Sequence, residues 1–141
     1  MLRDDYIIRL IKQLGAALAR IAGKRKAGEF DDALQEAGKG WDDLIGQPPR
    51  ELVDVLDTRT LADMLREPAK MRAAAQLLIE EGRACAGKGD PVHAAVRYRR
   101  AWELYLEARL IEPSDEDAAV MSELARLVPA NQLDPRYRID L

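Results

Sequence analysis

The 141 residues hold one cysteine, one histidine and one phenylalanine. A lone cysteine, Cys85, leaves no internal disulfide and points to an intracellular, cytoplasmic setting. A lone histidine, His93, cannot build a histidine metal site, and no further ligands stand at metal-binding spacing, so no metal is expected. Aromatics make up only 5% and β-branched runs are scarce, whereas a sheet would need more of both. The basic excess of a nucleic-acid binder is missing too: the formal net charge is −3, and no nucleic-acid partner is expected. Long apolar runs are absent. The start, Met1-Leu2-Arg3-Asp4-Asp5, is charged, and Arg9 and Lys12 break the stretch from Tyr6 to Ile11. That pattern fits neither signal peptide nor membrane span, so no membrane partner is expected. Gly87-Lys88-Gly89-Asp90 has glycine and lysine but neither P-loop spacing nor a preceding strand. No cofactor and no catalytic residue is expected.

What the chain does have is helix-forming material. Hydrophobic residues are 48% and charged residues 33%, enough apolar surface to offset chain entropy in one domain. The mix is rich in Ala, Leu, Arg and Glu. The first helix starts near Asp4 or Asp5 and carries Ile7, Ile11, Leu14, Leu18 and Ile21 in steps of four and three. Tyr6, Ile8, Leu10, Ala17 and Ala22 widen the stripe, and Lys24-Arg25-Lys26 and Gly28 close the helix. A second helix runs from about Phe30 to Ile45; the short link makes residues 1–46 an antiparallel hairpin. Gly46-Gln47-Pro48-Pro49 interrupts, and residues 49–66 hold two short helices, about Pro49 to Leu56 and Arg59 to Leu65. Residues 68–113 form a second hairpin, about Ala69 to Ala86 and Pro91 to Ile111 around Gly87-Lys88-Gly89-Asp90, stopped by Pro113. Ser114-Asp115-Glu116-Asp117 resembles a capping box for a last helix, about Asp115 to Leu127 within 114–128. The tail, 129–141, reads as extended, with Leu133, Tyr137 and Leu141 able to pin it. The expected fold is all-α: antiparallel helical hairpins with a short-helix insert.

In the second hairpin Gly82 and Ala84 precede Gly89-Asp90, and Ala94, Tyr98 and Ala101 follow at steps of four and three. Small residues let two helices cross closely, an aromatic fills the space beside them, and the turn glycine permits a backbone few other residues tolerate. On these residues the stretch from Ala75 to Leu106 resembles a tetratricopeptide repeat. Gly28-Glu29-Phe30, Ala33, Ala37 and Gly40 echo the turn and second helix, but Ile21 stands where the small crossing residue would be. The two turns lie 61 residues apart (28 to 89), against about 34 in the family, and Pro113 comes two turns late. The resemblance therefore implies a tetratricopeptide-like bundle and not a regular array. In that family the first helix of each unit lines a partner groove, which here implies Gln76, Ile79 and Arg83 as partner-binding residues, with Arg83 facing an acidic group. The opening Met1 to Arg9 also looks like that of a family of uncharacterised bacterial proteins, which implies no activity.

Other residues read more plainly as structure. Cys85 falls on an apolar helix face and packs as a small core residue. The acid pairs Asp31-Asp32, Asp42-Asp43, Glu80-Glu81 and Asp115-Glu116-Asp117 read as helix-start or solvated charges. Arg97, Arg99 and Arg100 around Tyr98 have Glu103 and Glu107 within reach. Trp41 and Trp102 lie in apolar stripes. The function expected is a non-enzymatic interaction module that binds a protein or peptide partner. The alternatives are a structural homodimer with no separate ligand and, behind both, a small-molecule binder or enzyme. The dimer expectation rests on apolar supply: one hairpin partner cannot cover a first helix apolar on most of its circumference, so Ile7, Ile8 and Ile11 are the expected interface.

Overall fold

The first hairpin is set by how its first helix ends. α1 (Leu2–Lys26) finishes in three cations, then Gly28 turns the chain at φ +79°. The Gly28 and Glu29 amides donate to the carbonyls of Arg25 and Lys24, which satisfies the last open turn. α2 (Phe30–Leu44) then folds back on α1. The second hairpin repeats the device at Gly89, φ +83°, where the Gly89 and Asp90 amides reach Ala86 and Cys85. The computed structural model describes residues 2–138, and side chains from residue 4 onward.

Between the hairpins lie α3 (Arg50–Val53) and α4 (Thr58–Leu65). The Asp57 side chain caps α4 by accepting from the Thr60 amide at 2.7 Å. α5 (Pro68–Gly87) and α6 (Pro91–Ile111) both begin on a proline, where the missing N–H costs nothing. α7 (Asp117–Leu127), a 3-10 turn (Ala130–Gln132) and α8 (Pro135–Arg138) complete the chain. The fold is all-α, with no strand among the described residues.

α5 is the axis of the molecule. It packs against α1, α2 and α6, and α6 in turn packs against α4 and α7. Met71, Ala74, Leu77, Leu78 and Ala84 are buried on it, so apolar contact surrounds most of its circumference. The α5–α6 crossing is close because Gly82 has no side chain. A Cβ there would lie 2.5 Å from Cε1 of Tyr98, whose ring occupies that space. The Phe30 ring lies in the same way over Gly87 and joins the two hairpins. Trp41 is fully buried, and its indole N–H donates to the Pro48 carbonyl at 2.8 Å.

α1, α5 and α7 run in the same direction. Tyr6 and Glu67 share one end of the α1–α5 seam, while Arg25 reaches Glu80 further along. Arg72 reaches Asp117 at the start of α7, and Arg83 reaches Glu123 beyond it.

Several expectations change on contact with the structure. The tail is not extended: it forms the 3-10 turn and α8, with Leu133 and Tyr137 buried as pins; Leu141 lies outside the described residues. α3 stops at Val53, short of Leu56. α7 begins at Asp117, and no capping box forms there: the Ser114 hydroxyl takes the Glu116 amide, and the Asp117 carboxylate turns to Arg72 and Arg109. Glu80 and Glu81 are not solvated; they are 6% and 4% exposed. Glu80 holds Arg25 of α1 and Arg83, and Glu81 holds Arg50 of α3 and Arg97 of α6. Buried carboxylates persist when paired in this way. Of the α6 arginines only Arg99 meets Glu103; Arg100, buried, donates instead to the carbonyls of Val53 and Leu56.

Candidate functional site

Three parallel helices that do not all touch leave a trough between them. The α1 wall is apolar and built from Ile7, Leu10, Ile11, Leu14 and Leu18, the stripe whose period is helical. Ala69, Ala73 and Gln76 of α5 form the floor, with Tyr105 of α6 behind it. Ala119 and Val120 of α7 form the far wall. The trough encloses about 580 Å³, within the range of ligand and peptide clefts. Ile11 stands 60% exposed on its lip.

Charge is concentrated at one end. Glu67, Glu112, Glu116 and Asp117 line the trough where α5 and α7 begin, and Arg72 is the one cation among the lining residues. Arg72 is already engaged. It donates through Nε and Nη2 to the Asp117 carboxylate at 3.0 and 2.9 Å, and through Nη2 to the Glu112 carbonyl at 2.6 Å. Such a two-pronged contact fixes both side chains and cancels their charges. Glu67, Glu112 and Glu116 meet no cation at ion-pair distance among the described residues, and one Glu67 oxygen is buried with no hydrogen-bond partner.

The residues singled out from sequence divide. Gln76, Ile7 and Ile11 meet in this trough. Ile79 does not face outward: it is 4% exposed, because α5 is covered on nearly every side. Arg83 lies past the trough, bridging Glu80 at 2.9 Å and Glu123 at 2.8 Å, so its charge is spent inside the molecule. Ile8 is 53% exposed on α1 but does not line the trough. Sequence reasoning missed Glu67, Arg72 and the α7 wall. The α7 side chains gave no signal because only a helix placed beside α5 turns Val120 into a wall.

A second depression of about 850 Å³ lies between α6, α7 and α8. Several of its polar groups are engaged: the Tyr137 hydroxyl donates to Glu107 at 2.6 Å, Arg59 lies 3.7 Å from Glu107, and Arg109 reaches Asp117, outside the depression, at 3.4 Å. Cys85 is buried, and burial raises its thiol pKa, the opposite of what a nucleophile needs. His93 is exposed, with Nδ1 2.7 Å from Asp90. Among the described residues no three His, Cys, Asp or Glu side chains gather in a metal-binding group, and no helix is long and apolar enough to cross a membrane. Comparison with protein-family models, with curated proteins and with solved structures finds no match to this chain.

Proposed function

We propose that the chain is a non-enzymatic interaction module that receives an apolar helical segment of a partner protein in the α1–α5–α7 trough. The observation that carries this reading is the apolar wall of α1, with Ile11 largely exposed on the lip of a preformed groove. An amphipathic helix presents residues three and four apart, the spacing that the α1 wall itself displays. Of the groove residues that the resemblance to tetratricopeptide repeats implies, Gln76 alone lines this trough. The reading needs no cofactor. The reduced, buried Cys85 thiol fits a cytoplasmic setting.

Selection from a displayed peptide library against the whole chain tests it. The expected peptides share an apolar stripe at helical spacing and lose at least tenfold in affinity for Ile11→Asp. Peptides that bind Ile11→Asp as well as wild type would overturn the reading. One observation favours a homodimer as the second reading: Ile8 is exposed on α1 outside the trough. Light scattering at high micromolar concentration decides it. A dimer mass that Ile8→Asp converts to monomer supports the dimer, and a monomer mass for wild type removes it.

A further inference from the structure

We infer that the occupant of the trough is a helix whose basic residues lie at its C-terminal end, and that it binds antiparallel to α1, α5 and α7. This rests on the interaction-module reading and adds the charge and direction of the partner.

Arg72 and Asp117 cancel, so the lining keeps the charges of Glu67, Glu112 and Glu116, all at the end where α5 and α7 begin. The N-termini of α5 and α7 oppose them with roughly half a positive charge each. Arg109 also meets Asp117, at 3.4 Å, so the three carboxylates face one uncancelled cation and about one unit of helix dipole; they still outweigh both, and this end attracts cations. Glu67 lines the trough, although one of its carboxylate oxygens is buried out of a ligand's reach. The rest of the trough offers apolar groups and two neutral polar side chains, Gln76 and Tyr105.

Direction follows from the ligand's own electrostatics. A helix is most stable with its cations near its C-terminus, where they complement its dipole. Those cations belong beside Glu67 and Glu112. The ligand's C-terminus then lies at the N-terminal end of α5, which sets it antiparallel to the three parallel helices. From Pro68 to Gln76 the floor spans about 12 Å. That exceeds the screening length of about 8 Å at physiological salt, so cations at the far end of a ligand gain little.

Two dye-labelled helical peptides of the same composition, about four turns long, provide the test. Each carries one Leu/Ile stripe, and two lysines sit at the C-terminal end in one and at the N-terminal end in the other. Fluorescence anisotropy with the whole chain should show the C-terminally basic peptide binding about fivefold to tenfold tighter. High salt, or the double substitution Glu67→Gln and Glu112→Gln, should erase the difference. A spin label on that peptide's C-terminus should broaden the methyl signals of Ile7 more than those of Leu18. Equal binding by both peptides, with both weakened by Ile11→Asp, overturns this inference and leaves the groove reading standing. Tighter binding of the N-terminally basic peptide, or broadening centred on Leu18, also overturns it. No binding by either peptide overturns both readings.

Discussion

Replacing Gly82 by alanine sets two effects of known size against each other. Alanine in a helix interior is favoured over glycine by about 0.8–1 kcal/mol. At this position the added Cβ would stand 2.5, 2.8 and 3.0 Å from three carbons of the Tyr98 ring. Ordinary contact is near 3.5 Å or more, so the ring must retreat by up to about 1 Å. It has little room: Tyr98 is buried in the core cluster between α5 and α6. Overpacking of this kind costs about 1–3 kcal/mol, so Gly82→Ala should be destabilising by about 1 kcal/mol net and Gly82→Leu by more. Ala101→Leu, at a fully buried position on the facing helix, should cost a similar 1–3 kcal/mol or so. Gly38→Ala is the control. It is also helical, but a Cβ there meets nothing within 4 Å, so it should be stabilising by up to about 1 kcal/mol. Urea unfolding followed by circular dichroism reads all four. If Gly82→Ala unfolds at the same or a higher midpoint than wild type, the ring does not fill the space the glycine leaves, and the packing argument fails.

Other outcomes follow from the same contacts. Tyr137→Phe removes the donor to the buried Glu107 carboxylate and should cost about 1–3 kcal/mol in urea unfolding, with faster proteolysis after Leu133; an unchanged midpoint would mean the tail is not held by that bond. Cys85, buried and with its thiol pKa raised by burial, should react with a disulfide reagent only at the rate of opening in native protein and at once in urea. The Asp57 and Asp90 carboxyls are held below the usual range by hydrogen bonds, Asp57 chiefly from the Thr60 amide and Asp90 chiefly from the His93 side chain. A depressed folded pKa gives stability that is present above the unfolded value of about 3.9 and lost as pH falls through the folded value. Thermal unfolding between pH 5 and pH 3 should therefore fall less steeply in the Asp57→Asn, Asp90→Asn double variant than in wild type.

The helices were readable where punctuation and period agree. α6 begins at Pro91 after a Gly-Asp turn and ends two residues before Pro113, and the expected bounds are the observed ones. α1 showed its stripe and its closing glycine in the same way. The burial of Glu80 and Glu81 was not readable, because nothing local marks it: their partners Arg25 and Arg50 lie 55 and 31 residues away. The trough was half readable. Its α1 wall is a local pattern, whereas its acidic end exists only because Glu67 from the α4–α5 linker meets Glu112 and Glu116 from the α6–α7 linker. The tail was misread because a 3-10 turn and a helix of four residues leave no periodic trace.

The way the tail is fastened has a kinetic meaning. Glu103 and Glu107 sit on α6, in the hairpin whose contacts are local, and local contacts close first during folding. The tail's contacts to them, the Asp134 amide on Glu103 and the Tyr137 hydroxyl on Glu107, span 31 and 30 residues of chain, the kind expected to close after the hairpin's own. Glu103 also holds Arg99 and the Thr58 hydroxyl, and Glu107 lies 3.7 Å from Arg59; docking of the tail adds one further donor to each acid and excludes water from both. The segment from Ala130 to Arg138 therefore opens and closes as one unit on the finished α5–α6 hairpin, and its amides exchange with solvent at a lower free energy than those of the hairpin.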